Sequence, residues 1–145
     1  MSGIQIKLKK LDKELPLPKK AYEGDAGMDL ISREDATMKP GERALISTGI
    51  AIEIPSGYAG FIQPRSGLAI KHGIGVVNSP GLIDSNYRGE IKVILINMDK
   101  DNIYKIKRED KIAQLVIKKV ESPTVVVVEE LSDSKRGQSG FGSSG

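Results

Sequence analysis

A chain of 145 residues with 39% hydrophobic and 4% aromatic side chains has the size and composition of one globular domain with its own core. The absence of Cys removes disulfides, thiolate nucleophiles, iron–sulfur clusters and Cys-ligated zinc, and the single His72 removes multi-histidine metal sites and leaves a Ser-His-Asp triad only if that residue serves. The net charge of +3 is spread along the chain, which suits a small polyanionic ligand better than nucleic acid, and no apolar run reaches the roughly 18–20 residues a bilayer span needs.

The apolar pattern is strand-like nearly throughout. Ile4, Ile6 and Leu8 alternate with Gln5, Lys7 and Lys9, the period-2 signature of a half-buried strand. DAGMDL at 25–30 places Asp29 between Met28 and Leu30 in a further strand. After the turn KPGER at 39–43 come ALIS at 44–47 and the alternation Ile50, Ile52, Ile54. PRSGLA at 64–69 leads into the one helical turn, SGLAIKHG at 66–73, with Ser66 as expected N-cap and Gly73 as stop. NSPGLIDSNYRGEI at 78–91 reads as strand, turn and strand, a hairpin running into IKVILINM at 91–98. DKIAQLVIKKV at 110–120 and TVVVVEE at 124–130 are the last expected strands, both rich in β-branched residues. Short strands with turn punctuation predict an all-β sandwich or barrel. The final RGQSGFGSSG, with four Gly and three Ser, cannot bury enough apolar surface to order itself and is expected to be a free arm.

Five segments carry residues that packing alone does not require. In the first, DAGMDL, Gly27 permits an unusual backbone angle, and Asp29 by itself reads most simply as a solvated carboxylate. In the second, Arg65 offers a planar fork for phosphate, and Ser66 and Gly67 offer a hydroxyl and amides at a helix start; an ordinary surface turn fits those residues equally well. The third combines Asn78, whose amide can read a base edge, with Asp84, able to orient a water, and Tyr87, a flat face in an aromatic-poor chain. So many special residues in so short a span make a plain turn a poor account. In the fourth, REDKIAQLVI at 108–117, Gln114 is either solvated or aimed into a site, and spacing alone favours the former. In the tail, glycines let amides approach phosphate, Arg136 adds charge and Phe141 can stack on a base, although no Walker sequence is present.

In this order and spacing the five segments resemble the trimeric deoxyuridine triphosphate nucleotidohydrolases, the dUTPases, over nearly the whole chain. The resemblance implies a jelly-roll β-domain at 1–135 and a closing arm at 136–145, assembled as a homotrimer in which one subunit's arm closes over a site built by the other two. It implies hydrolysis of dUTP to dUMP and pyrophosphate with Mg2+ as cofactor. Arg65, Ser66 and Gly67 match the phosphate-contacting motif. Asn78, with backbone groups of Gly81, Leu82, Ile83 and Lys92, matches the uracil-reading hairpin, and Tyr87 the ring under the deoxyribose that leaves no room for a 2′-hydroxyl. Asp84 matches the carboxylate that binds the 3′-hydroxyl and orients the attacking water, and Gln114 a phosphate-side contact. Arg136, Phe141, Gly142 and Ser143 match the arm, with Phe141 over the uracil; Asp29 matches the residue that supports the Mg2+ shell through water. The sequence departs from the family at Glu109, usually Gly, and at Ser139 and Ser144, where Gly and Thr are commoner. His72 receives no chemical role.

A deoxycytidine triphosphate deaminase shares the expected fold and trimer but needs a proton-shuttling Glu beside the base, whereas this segment carries Asp84 and is followed by a Phe-bearing arm. A non-catalytic nucleotide-binding trimer predicts loss of Asp84, Arg65 or the arm, and all are present. The expected partners are therefore dUTP and further copies of the chain, with no nucleic acid and no membrane, and the expected location is cytoplasmic.

Overall fold

The computed structural model describes residues 3–145, which form ten strands and one helix; Met1 and Ser2 lie outside this description. In chain order these are β1 (Lys7–Lys10), β2 (Gly27–Ile31), β3 (Ala36–Met38), β4 (Arg43–Glu53), β5 (Tyr58–Gln63), α1 (Ser66–His72), β6 (Ile74–Val76), β7 (Gly81–Ile83), β8 (Glu90–Asn97), β9 (Tyr104–Ile106) and β10 (Lys111–Lys119). One four-stranded sheet runs β1-β4-β8-β6, a second runs β2-β10-β5-β7, and β3 pairs with β9 in a two-stranded ribbon. Every strand pairing among the described residues is antiparallel. This is the expected jelly-roll sandwich with one short helix.

Alternation fixes which face of each strand is buried. Ile91, Val93 and Leu95 of β8 and Ile46, Ile50 and Ile52 of β4 point inward from the first sheet. Leu30, Ile62, Ile83, Ala113 and Leu115 meet them from the second, and Met38 and Ile106 close one end. The resulting core is almost wholly aliphatic, which suits a chain with few aromatics. ALIS, Ile50 and Ile52 join into the single strand β4, which ends before Ile54 and whose register with β8 shifts between Ser47 and Ala51. Gly49 sits in that irregularity at φ +75, and a Cβ there would come within 2.8 Å of Leu15 Cδ1. The gap is used: the Gly49 carbonyl accepts from Leu11 N at 2.8 Å, and Leu15 is buried beneath it.

Three expectations change. The N-cap of α1 is Arg65, in extended backbone, because Ser66 already has helical geometry; no side chain caps the helix. Gly73 ends it at φ +66, as expected. The segment 78–91 is not a hydrogen-bonded hairpin: β7 pairs with β5 and β8 with β4 and β6, so residues 84–89 cross between the two sheets. Its pattern is strand-turn-strand, but the core takes one strand into each layer. TVVVVEE forms no strand, since propensity makes a ladder only where an edge receives it. Beyond Val120 N, which donates to Gly57 O at 2.9 Å, the tail's backbone hydrogen bonds among the described residues are local turns.

Four charges alternate along one side of the sandwich. Arg108 Nη1 donates to Asp12 Oδ2 at 2.7 Å, Arg33 Nε lies 3.4 Å from the same oxygen, and Arg33 Nη1 donates to Glu90 Oε2 at 3.1 Å. The hydrogen bond from Arg108 holds the Asp12 carboxyl at about 2, below its ordinary 3.8. A depressed carboxyl contributes stability that is full above its unfolded value and lost as pH falls through its folded value. The stability gap between the wild-type chain and Asp12→Asn, measured by urea unfolding, should therefore be constant near neutrality and shrink as the pH is lowered from about 4 to about 2.

Glu109 stands in left-handed backbone at φ +75, which glycine adopts without strain and a residue with a side chain does not. A side chain in left-handed backbone costs about 1–2 kcal/mol, and Gly returns part of that through a freer unfolded chain. Glu109→Gly should stabilise the fold by about 0.5–1 kcal/mol, seen as a higher urea midpoint with unchanged slope.

Candidate functional site

The outer face of the second sheet carries a row of polar side chains. Gln114 stands between Asp29 on β2 and Gln63 on β5 in register, so all three project from the same side. Their neighbours Leu30, Ala113, Leu115 and Ile62 project into the core. The alternation that builds the core thus builds the floor of a cleft of about 390 Å3, walled by Ala21, Tyr22 and Asp25 on one side and by Arg65, Ser66 and Gly67 on the other. The first, second and fourth of the five segments converge there, although 36 positions separate Asp29 from Arg65.

Asp29 faces two cations in the cleft. Asp29 Oδ1 accepts from Arg65 Nε at 3.2 Å and Oδ2 lies 3.4 Å from Lys111 Nζ. The Asp29 side chain is only 17% exposed and Arg65 33%, so the pair is held partly out of water. This contact uses one edge of the Arg65 guanidinium. Ser66 and Gly67 open α1, where first-turn amides have no helical acceptor. A Cβ on Gly67 would meet nothing within 4 Å, so the backbone there is open to a ligand. Gln114 Nε2 donates to Pro64 O at 3.0 Å, tying β10 to the turn that presents Arg65. Gly27 makes room for that amide, because a Cβ there would collide with Gln114 Oε1 and lie 3.2 Å from Cδ.

The third segment forms a separate group. Asn78 is exposed after β6 and touches the backbone at Gly81, where a Cβ would meet its Nδ2 at 3.4 Å. Gly81, Leu82 and Ile83 pair with β5, whereas Lys92 pairs with Ser47 in the opposite sheet. Between them the 84–89 connection is preformed: Tyr87 N donates to Asp84 O at 3.1 Å, and Arg88 Nη1 donates to Ser85 O at 2.6 Å. Arg88 also pairs with Glu53 at 3.2 Å. Asp84 and Tyr87 are exposed on this connection and do not line the cleft of Arg65. Arg136, Phe141, Gly142 and Ser143 lie on the exposed tail and do not line the cleft, with Phe141 at φ +52.

Sequence reasoning missed Lys111, Asp25 and Gln63. Asp25 and Lys111 lie inside the quoted segments, but the approach of Lys111 to Asp29 across paired strands has no linear signature. Asp25 also closes its own turn, accepting from Tyr22 N at 2.9 Å. Arg108 belongs to the charge chain around Asp12 and not to the cleft. His72 stacks obliquely on Tyr104, ring centroids 5.0 Å apart, in line with a structural role. Among the described residues no three His, Cys, Asp or Glu side chains are grouped to hold a metal.

Comparison with known proteins identifies the family. The dUTPase family model matches residues 13–145. A deoxyuridine 5′-triphosphate nucleotidohydrolase of Thermobifida fusca is 56% identical over 142 residues, spanning 98% of this chain and 79% of that protein. A mutant dUTPase of Staphylococcus bacteriophage 80alpha, solved with dUpNHpp, superposes with a TM-score of 0.90 at 32% identity, covering 97% of this chain and 98% of that one. A mutant dUTPase of phage phi11, described with a structural Mg(II) ion, superposes with a TM-score of 0.81 at 27% identity, over 90% of this chain and 100% of that one. With the family model covering all but the first residues and the same sandwich recurring in solved relatives, this chain belongs to the dUTPase family.

Proposed function

We propose that this chain is a dUTP diphosphatase, hydrolysing dUTP to dUMP and pyrophosphate. The observation that carries the reading is the cleft on the second sheet. It sets Arg65, the free amides of Ser66 and Gly67, and the Gln114 amide around one space of nucleotide-phosphate size, in a chain of dUTPase sequence. Arg65 and the helix-start amides hold the phosphates, and Gln114 fixes the turn on which Arg65 stands.

Asp84 is the general base. Its carboxylate takes a proton from a water whose oxygen bonds to the α-phosphorus, the α–β bridging P–O bond breaks, and pyrophosphate departs. Selection of uracil falls to Asn78 and the backbone of Gly81, Leu82 and Ile83. A site built from fixed backbone groups leaves buried donors and acceptors unpaired when cytosine replaces uracil, which is where large discrimination originates. Lys92 enters through its backbone from the facing sheet. Tyr87 lies under the deoxyribose.

Mg2+ fits the donor set. That ion keeps several waters and takes one or two carboxylates plus substrate phosphates, so it needs no all-protein cage. Both Asp29 oxygens already face a cation, which supports contact through water over direct ligation. When bound, Mg2+ supplies charge neutralisation to the leaving pyrophosphate.

The division of the candidate residues into two groups and a detached arm supports completion of the site between copies in a homotrimer. Outward-facing Leu45, Ile94 and Ile96 give the first sheet an apolar outer face, and Val125 to Val128 are 55–93% exposed. Both are surfaces that a second copy would cover. The arm at 136–145, beyond the jelly-roll domain of 1–135, would then bring Arg136, Gly142 and Ser143 to the phosphates and Phe141 over the base of a neighbour's site. No helix of the described residues is long and apolar enough to cross a membrane; a cytoplasmic enzyme acting on a free nucleotide is the reading that accompanies this function.

Product analysis with Mg2+ and dUTP, dCTP, dTTP or UTP in parallel tests the whole proposal. Pyrophosphate and dUMP from dUTP alone are expected, whereas ammonia from dCTP would replace the reading with a deaminase. Asp84→Asn should bind dUTP and lose about 10²–10⁴-fold in kcat, the usual contribution of a positioned base; a smaller loss removes Asp84 from that role. Deletion of residues 136–145 should preserve the oligomer and its melting temperature while lowering kcat about 10²-fold, through loss of phosphate-side donors.

A further inference from the structure

The ring of Tyr87 is held by residues that the proposed chemistry does not use. Its hydroxyl donates to Glu90 O at 2.9 Å. A Cβ on Gly89 would lie 2.6 Å from Tyr87 Cζ and 3.0 Å from Cε1, and would collide with the hydroxyl. The ring therefore occupies the volume that any other side chain at 89 would fill. Backbone conformation does not demand glycine there, because Gly89 is not among the residues with positive φ. The requirement is for space beside the ring.

Glu90, the acceptor, is itself fixed. Its Oε2 accepts from Gly49 N at 2.9 Å and from Arg33 Nη1 at 3.1 Å, and its side chain is 16% exposed. The next residue, Ile91, is fully buried, and its carbonyl accepts from Thr48 Oγ1 at 2.6 Å. Gly89 and Glu90 thus form a rigid backstop anchored to the irregularity in β4. Against it rests a ring that is 44% exposed and would otherwise sample several rotamers.

We propose that Gly89, backed by Glu90 and Arg33, is a positioning residue that sets the tilt of the Tyr87 ring and through it the preference for a 2′-deoxy sugar over ribose. The proposal rests on the reading of Tyr87 as the sugar-facing ring. Exclusion of a hydroxyl by a ring face is a steric discrimination, and it holds only while the ring cannot yield. A side chain at 89 would push the ring off the backstop and break its bond to Glu90 O, and misplacement on the scale of 1 Å is enough to change reactivity by orders of magnitude.

The test is the ratio of kcat/KM for dUTP to that for UTP in the wild-type enzyme, Gly89→Ala, Tyr87→Ala and the double variant. Gly89→Ala should lower the ratio about tenfold, Tyr87→Ala at least as much, and Gly89→Ala in the Tyr87→Ala background should change it less than about twofold, the non-additivity expected of residues acting through one ring. An unchanged ratio in Tyr87→Ala overturns the sugar-facing reading itself. A lowered ratio in Tyr87→Ala with an unchanged one in Gly89→Ala overturns the positioning role alone, as does an equal effect of Gly89→Ala in both backgrounds. Tyr87→Phe keeps the ring and removes only the hydroxyl, so it serves if Gly89→Ala does not fold. A fall of about threefold, the scale of one hydrogen bond, is expected, and no fall overturns the anchor.

Discussion

Glu90 and the alternating charges behind it hold the parts of this molecule that the two β-sheets alone leave independent. The run Arg108–Asp12–Arg33–Glu90 joins the segment before residue 15, the loop after β2, the irregularity in β4, the start of β8 and the approach to β10. Arg108 further donates from Nη1 to Arg33 O at 2.7 Å and from its backbone to Asp35 Oδ1 at 2.8 Å. Isolated surface ion pairs contribute little, because water and side-chain entropy cancel the attraction. Here the carboxylates are 16% exposed, each serves more than one donor, and the Arg108 guanidinium also satisfies the Arg33 carbonyl. Removing one member strands the others partly out of water, so the group acts as one unit.

That unit reaches the functional surface through a single residue. Glu90 begins β8 and ends the connection that carries Asp84 and Tyr87. Its carboxylate is tied to Gly49 N, and its carbonyl receives the Tyr87 hydroxyl. The connection crosses between sheets and has no ladder of its own. It is kept in shape by the turn from Tyr87 N to Asp84 O and by Arg88, which reaches Ser85 O and Glu53. The cleft on the second sheet is rigid for a different reason. Its floor is the outer face of strands whose inner face is the core, so Asp29, Gln114 and Gln63 cannot shift without disturbing Leu30, Leu115 and Ile62. One half of the candidate machinery is preorganised by packing and the other by hydrogen bonds to backbone.

The sequence made much of this legible. Alternation located most strands, Gly73 marked the end of the helix, and motif spacing pointed to the residues of the cleft. Gln114 shows the limit: in a linear pattern it is a polar residue on a solvated face, and only its register beside Asp29 turns that face into the floor of a cleft. The segment 78–91 shows another. Strand-turn-strand carries no mark of whether its strands pair with each other, and that choice is made by which sheet has an unfilled edge. TVVVVEE shows a third, since propensity without a partner edge yields exposed valines.

Composition, period-2 patterning and turn residues determined an all-β domain without thiols or a multi-histidine metal site, because those are local properties of the chain. The candidate phosphate-binding residue types and the glycine-rich tail were equally plain, being carried by side-chain chemistry in short segments. What only the tertiary structure decided was adjacency across long separations: Asp29 against Arg65 and Lys111, Arg108 against Asp12, and Glu90 behind Tyr87. The left-handed backbone at Glu109 and the space that Gly89 leaves for a ring likewise emerged only in three dimensions. Register and sheet order are fixed by burying the whole aliphatic core at once, and no local stretch of sequence contains that global condition.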